Sequence, residues 1–197
     1  MKNIFRIPPT ILVDMDGVLG WWEKHFIAQM KSRYPHVKVW EFGVRTEADQ
    51  PAINKLFDLP EVQDVLRTPG FYAALKPIAG GFEALEAMRK RGFDVAICTA
   101  PSLRNPTCAS DKYEWILRNF GSYWADRTII TKEKWRVDAD LLVDDKSHVA
   151  GTEKARWSHL VFDQSYNRGD MTRPRMLGWT DWERAVYSAL HEREKAA

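Results

Sequence analysis

The chain has 197 residues, 45% of them apolar and 28% charged, with 29 basic against 27 acidic side chains for a formal net charge of +2. That length holds one full core, or a core with a small insertion, and excludes two large domains. The near-balance of charge excludes the strongly basic surface that holds proteins on nucleic acid polymers.

Cys98 and Cys108 are the only cysteines, too few for a disulfide framework, and Cys98 lies in an apolar run as a small buried side chain would. No stretch approaches the roughly 18 apolar residues of a membrane span, and residues 1–9 lack a signal-peptide core. The expectation is a cytoplasmic protein in a reducing compartment, with neither a membrane nor a nucleic acid polymer as partner.

The first predicted element is an apolar strand over residues 10–13. Residues 21–72 then break the rhythm: the segment is long, aromatic and helix-compatible, contains no convincing strand, and is punctuated by Pro60 and the Pro69-Gly70 pair. It reads as an insertion, a small helical cap over residues 21–72, with residues 1–20 and 73–197 forming the core.

A helix follows over residues 81–91, with Phe82, Leu85 and Met88 on one face and Gly92 as terminator. A second strand covers residues 93–98. The next helix, residues 111–120, carries Tyr113, Ile116, Leu117 and Phe120 at helical spacing, with Ser110 or Asp111 as cap and Gly121 after the last turn. Strands over 128–130, 141–143 and 160–162 follow, then a helix from Trp182 to Leu190 whose charged tail reads as a solvated helix end. Alternating short apolar runs and helices predict an α/β fold: a Rossmann-like parallel sheet with helices on both faces.

The first strand runs directly into Asp14-Met15-Asp16-Gly17. Positions two apart in extended chain point to one side, so the two carboxylates project together beyond the strand end, and Gly17 allows a sharp turn there. Side-by-side carboxylates repel and call for compensation. A second acidic pair, Asp144-Asp145, ends the apolar run 141–143 in the same way, and three or four carboxylate oxygens plus water suit Mg²⁺. Strand alternation favours Asp144 as direct ligand and Asp145 as outer support, unless the strand has already ended. An Asp at a strand end is often merely a helix cap; two such clusters behind two apolar strands argue against that. Thr99 ends a third strand, where its hydroxyl can donate to a phosphoryl oxygen. Lys134 can offset the carboxylates, although a lone lysine is more often a solvated surface group.

In the order Asp14-x-Asp16, Thr99, Lys134, Asp144-Asp145, these positions resemble the four motifs of the haloacid dehalogenase (HAD) phosphatases. With Pro69-Gly70-Phe71, Ile97-Cys98-Thr99-Ala100-Pro101 and Lys112-Tyr113-Glu114-Trp115, most of the chain is similar to the 5'(3')-deoxyribonucleotidases. The resemblance implies a Mg²⁺-dependent phosphatase with Asp14 as nucleophile and Asp16 as general acid/base. Thr99, Ala100 and Lys134 would hold the phosphate of a small-molecule substrate, a deoxynucleotide. Asp14, Asp144, Asp145 and Asp16, the last through its backbone carbonyl, would serve the metal. Where family members continue with Ala-Asp-Phe, this chain has Gly20-Trp21-Trp22, so Trp22 would stack on the nucleobase, with Phe42 beside it. Both are equally compatible with the cap's own core. A homodimer is left open.

Two other readings compete. A receiver-type signalling domain also gathers acids and magnesium at strand ends, but it carries its phosphorylated Asp on a middle strand, and none follows residues 93–98 here. A HAD phosphatase for a sugar phosphate or another metabolite differs only in the cap, which is the least legible segment.

Overall fold

A computed structural model describes residues 8–39, 50–169 and 172–196. Six parallel strands form one sheet in the order β3-β2-β1-β4-β5-β6. They are β1 (Thr10–Val13), β2 (Asp94–Thr99), β3 (Thr128–Ile130), β4 (Leu141–Asp144), β5 (Ser158–Phe162) and β6 (Arg175–Met176). The sheet is the expected parallel α/β one, with β6 added at its edge.

Strand alternation sends successive side chains to two apolar layers. Ile11, Val13, Leu141, Val143, Leu160 and Phe162 join the larger core, while Leu12, Cys98 and Leu142 pack with Val149 and Trp157 on the other face. Burial pushes the Cys98 thiol up to about 12, which leaves it a protonated packing group.

Between β1 and β2 lie α1 (Trp22–Arg33), α2 (Gln50–Asp58) and α3 (Pro60–Arg67), then α4 (Gly81–Lys90). Phe26 and Met30 of α1 and Val62 and Val65 of α3 are buried, and Pro60 opens α3 at its first turn, where a missing N–H costs nothing. Beyond β2 come α5 (Cys108–Phe120) and α6 (Ser122–Asp126); α7 (Trp182–Ala196) follows β6 and continues through the charged tail.

Two helix readings need correction. α5 begins at Cys108 with Thr107, not Ser110 or Asp111, at the cap position. Its buried face is also rotated from the apolar spacing: Tyr113 and Leu117 are exposed, whereas Lys112, Trp115, Ile116 and Phe120 are buried. In α4 the same holds for Phe82, which is exposed while Leu85 and Met88 are fully buried. On α5 the displaced apolar side chains make room for a buried ammonium, a placement that apolar periodicity cannot signal.

β1 is central: the chain runs outward from it through β2 to β3, then crosses back to β4 on the other side of β1. Such a reversal opens a crevice at the carboxyl ends of the strands, where open α/β sheets bind ligands.

Candidate active site

Asp14 follows β1 directly and keeps its place in the sheet by donating its backbone N–H to Val143 O at 2.9 Å. The chain then closes a tight turn in which Leu19 and Gly20 donate to Met15 O at 2.9 and 2.8 Å. Gly17 sits in that turn at φ +75°, and a side chain there would strike the Asp145 carboxylate and the Tyr166 hydroxyl. Gly17→Ala therefore combines left-handed backbone strain with a collision inside the acidic cluster. It is expected to cut turnover at least about tenfold and to lower stability by roughly 1–3 kcal/mol, as measured by steady-state kinetics and thermal melting.

β4 ends at Asp144, so the alternation that would have separated Asp144 from Asp145 no longer applies. Oxygens of Asp14, Asp144 and Asp145, all buried, lie within 4.8 Å of one another. Unit charges at that spacing repel by about 3–4 kcal/mol per pair at an effective dielectric near 20. One ammonium is built in to oppose this: Lys134 Nζ lies 2.8 Å from Asp14 Oδ1 and 2.6 Å from Asp144 Oδ2. Lys134 is thus buried at the acids, not on the surface. Asp144 Oδ1 accepts the Lys146 N–H at 2.9 Å. Asp145 Oδ2 accepts the Tyr166 hydroxyl, while Asn167 Nδ2 holds the Asp145 carbonyl at 2.6 Å.

The protonation preferences follow from these neighbours. Burial raises the Asp14 carboxyl, but Lys134, Lys112 and Lys146 outweigh it and hold Asp14 below the usual range. Burial together with the charges of Asp144 and Asp14 pushes Asp145 well up. Burial opposes the Lys134 charge, yet Asp14 and Asp144 raise its affinity for the proton.

Asp16 stands apart from the cluster of three. Lys112 Nζ, fully buried, donates to Asp16 Oδ2 and Thr99 Oγ1 at 2.7 Å each and to Ala100 O at 2.9 Å. All three of its protons are used. Desolvation and the Asp14 charge nevertheless outweigh Lys112 and raise the Asp16 carboxyl. Two neighbouring carboxyls driven in opposite directions are what acid/base chemistry needs, one ionised and one able to carry a proton.

A divalent cation fits this donor set. Three carboxylates exceed the charge that Lys134 supplies, and Asp14 Oδ1, despite its ion pair, has no hydrogen bond; Asp16 Oδ1 has none either. Hard oxygen ligands in this number suit magnesium.

Above the carboxylates lies a cavity of about 910 Å³. Asp14, Asp16, Thr99 and Ala100 form its floor, and Trp22, Ile53, Phe57 and Tyr72 form an apolar wall. Trp22 stacks on Phe26 at 5.2 Å and meets the edge of Phe71 at 6.2 Å, leaving it also on the cavity lining. Phe42, the other aromatic expected there, lies outside the described residues.

Lys112 and Lys146, the latter in Leu142-Val143-Asp144-Asp145-Lys146, stand within the motifs that carry the resemblance but receive no role from the sequence, and nothing in the sequence marks Tyr72 or Tyr166. The only local signal for Lys112 was its position three residues before the buried Trp115.

Residues 8–191 match the family model described as "5' nucleotidase, deoxy (Pyrimidine), cytosolic type C protein". The chain belongs to this family. It is 34% identical over 179 residues to the human cytosolic-type 5'(3')-deoxyribonucleotidase, covering 87% of this chain and 89% of the relative. Its fold matches a hydrolase from Pseudomonas syringae with TM-score 0.56 and 13% identity, covering 92% of this chain and 99% of the other. It also matches a HAD-hydrolase of Bacillus subtilis bound to magnesium, with TM-score 0.52 and 12% identity, covering 94% and 99%. The fold is that of the HAD hydrolases, and the chain is a phosphatase. Among the described residues no helix is long and apolar enough to cross a membrane.

Proposed function

We propose that this protein is a magnesium-dependent hydrolase of deoxynucleoside 5'(3')-monophosphates that works through a phospho-aspartate at Asp14. The observation that carries the reading is the convergence of Asp14, Asp144 and Asp145 around Lys134, directly beneath a cavity with an aromatic wall.

Asp14, kept ionised by its lysines, attacks phosphorus without needing a base. The bond from phosphorus to the leaving oxygen breaks, and Asp16, whose carboxyl is biased toward the protonated form, gives its proton to the departing alkoxide. Asp16 then takes a proton from water, which attacks the same phosphorus; inorganic phosphate leaves and Asp14 returns as a carboxylate. Thr99, Ala100 and Lys134 bind the phosphoryl oxygens. Asp14, Asp144, Asp145 and the Asp16 carbonyl would hold Mg²⁺, which when bound supplies charge neutralisation for the phosphoryl group.

Residues 21–72 act as a cap over the core of residues 1–20 and 73–197, and Trp22 offers the base a stacking surface. Similarity to the human cytosolic-type enzyme supports a cytoplasmic location.

The test is a substrate panel with magnesium: deoxynucleoside monophosphates, ribonucleotides, sugar phosphates and para-nitrophenyl phosphate. Deoxynucleotides are expected to exceed sugar phosphates by at least about tenfold in kcat/KM, a difference worth roughly 1.4 kcal/mol of transition-state binding. Equal rates for nucleotides and sugar phosphates would remove the substrate assignment, and full activity under exhaustive chelation would remove the metal.

A further inference from the structure

The mechanism leaves unused a pair of hydroxyls on the cavity lining, those of Tyr72 and Ser102. Tyr72 is 5% exposed and belongs to a short 3-10 turn, Tyr72–Ala74. The turn is fastened to α5: Trp115 Nε1 donates to Leu75 O at 2.7 Å, and the Arg118 guanidinium donates to Ala73 O. Lys112 Nζ sits 5.2 Å from the centre of the Tyr72 ring, so the ring packs against the same ammonium that holds Asp16.

Ser102 follows β2 and is fixed by its backbone. Its N–H donates to Cys108 Sγ at 3.2 Å, and its carbonyl accepts the Asn105 N–H at 3.1 Å. Both side chains are therefore presented by rigid segments, a condition for reading a ligand with a single hydrogen bond.

Tyr72, Ser102, Trp22 and Asp16 line the same cavity, and the Tyr72 ring lies 5.1 Å from that of Phe71, which in turn meets Trp22 at 6.2 Å. Burial and then the Asp16 charge push Tyr72 up, which keeps the phenol proton in place as a donor across the working pH range.

The phenol thus stands between Trp22, the stacking surface, and Asp16, the proton donor to the leaving oxygen. In a nucleotide, the part that joins base to scissile phosphate is the sugar. We propose that Tyr72 and Ser102 recognise a sugar hydroxyl of the nucleotide and make this enzyme selective for substrates that carry one. The inference rests on the nucleotidase reading.

The experiment compares kcat/KM for a ribonucleoside, a 2'-deoxynucleoside and a 2',3'-dideoxynucleoside 5'-monophosphate of one base, with a sugar phosphate as reference. It uses the full chain as wild type, Tyr72→Phe, Ser102→Ala and the double variant. Wild type is expected to lose about tenfold at the step where the recognised hydroxyl is removed, the scale of one hydrogen bond lost with its partner left unsatisfied. The loss is expected from deoxy to dideoxy, which assigns the 3'-hydroxyl that a deoxynucleotide retains; a loss from ribo to deoxy overturns the proposal, because the substrate lacks the 2'-hydroxyl. In the double variant the ratio should collapse to within about twofold. A structural defect would lower all substrates together and leave the ratio standing. A wild type indifferent to all three sugars, or a double variant that keeps the wild-type ratio, overturns the proposal while nucleotides still outrank the sugar phosphate. Loss of that ranking in the wild type overturns the nucleotidase reading instead.

Discussion

Asp14→Asn is expected to lose turnover by on the order of 10⁴-fold or more, because an amide oxygen in the same position cannot form the acyl phosphate. The fold should survive the change. Asp14 is one of three acids crowded within 4.8 Å and opposed at contact distance by the single ammonium of Lys134; removing its charge relieves repulsion while Asp144 still holds Lys134 at 2.6 Å. Thermal melting without added metal should therefore show an unchanged or higher Tm. Intact-protein mass spectrometry after mixing with substrate should show no phosphorylated species. Activity within tenfold of wild type, in a variant that melts normally, would remove Asp14 as nucleophile.

Lys112→Met should have the next largest effect, and by a different route. With all three of its protons spent on protein groups, Lys112 acts by holding Asp16 and the phosphate-binding Thr99 and Ala100 in one arrangement. Methionine matches the stem and lacks the charge. Loss of the ammonium frees all three groups, and the expected fall in turnover is about 10²–10³-fold, similar to removing a fixed donor from a preorganised site. Stability should also fall, because breaking a buried ion pair costs about 3–5 kcal/mol. The Asp16 side chain is 25% accessible, so the lower end of that range applies, a Tm drop of roughly 6–10 °C for a chain of this size.

The two effects separate in a double-mutant cycle. If Lys112 serves turnover through Asp16, then Lys112→Met in an Asp16→Asn background should cost at most about tenfold more than Asp16→Asn alone. Fully multiplicative losses would show that Lys112 acts independently of Asp16.

The parts of the site that could be read from the chain are those in which local order and chemistry coincide. An apolar strand ending in Asp14-x-Asp16, and another ending in Asp144-Asp145, put carboxylates at strand ends whatever the rest of the molecule does. Gly17 marks the turn for the same reason, since its backbone requirement is local. The parallel sheet follows from short apolar runs alternating with helices.

What the chain order left open depends on groups far apart in it. Lys134 and Lys112 are both lysines within charged stretches, and by composition alone either belongs in solvent. Only the packing of α5 against the carboxyl end of β1 buries Lys112 beside Asp16, 96 positions away, and only the turn before β4 carries Lys134 between Asp14 and Asp144. Tyr166 meets Asp145 from 21 residues further along, with no periodicity to announce it. Apolar patterning reports which face of an element avoids water, so it locates strands and helix faces. A buried charge violates that pattern, because partners brought from elsewhere in the fold compensate its desolvation, and those partners exist only once the tertiary structure has formed.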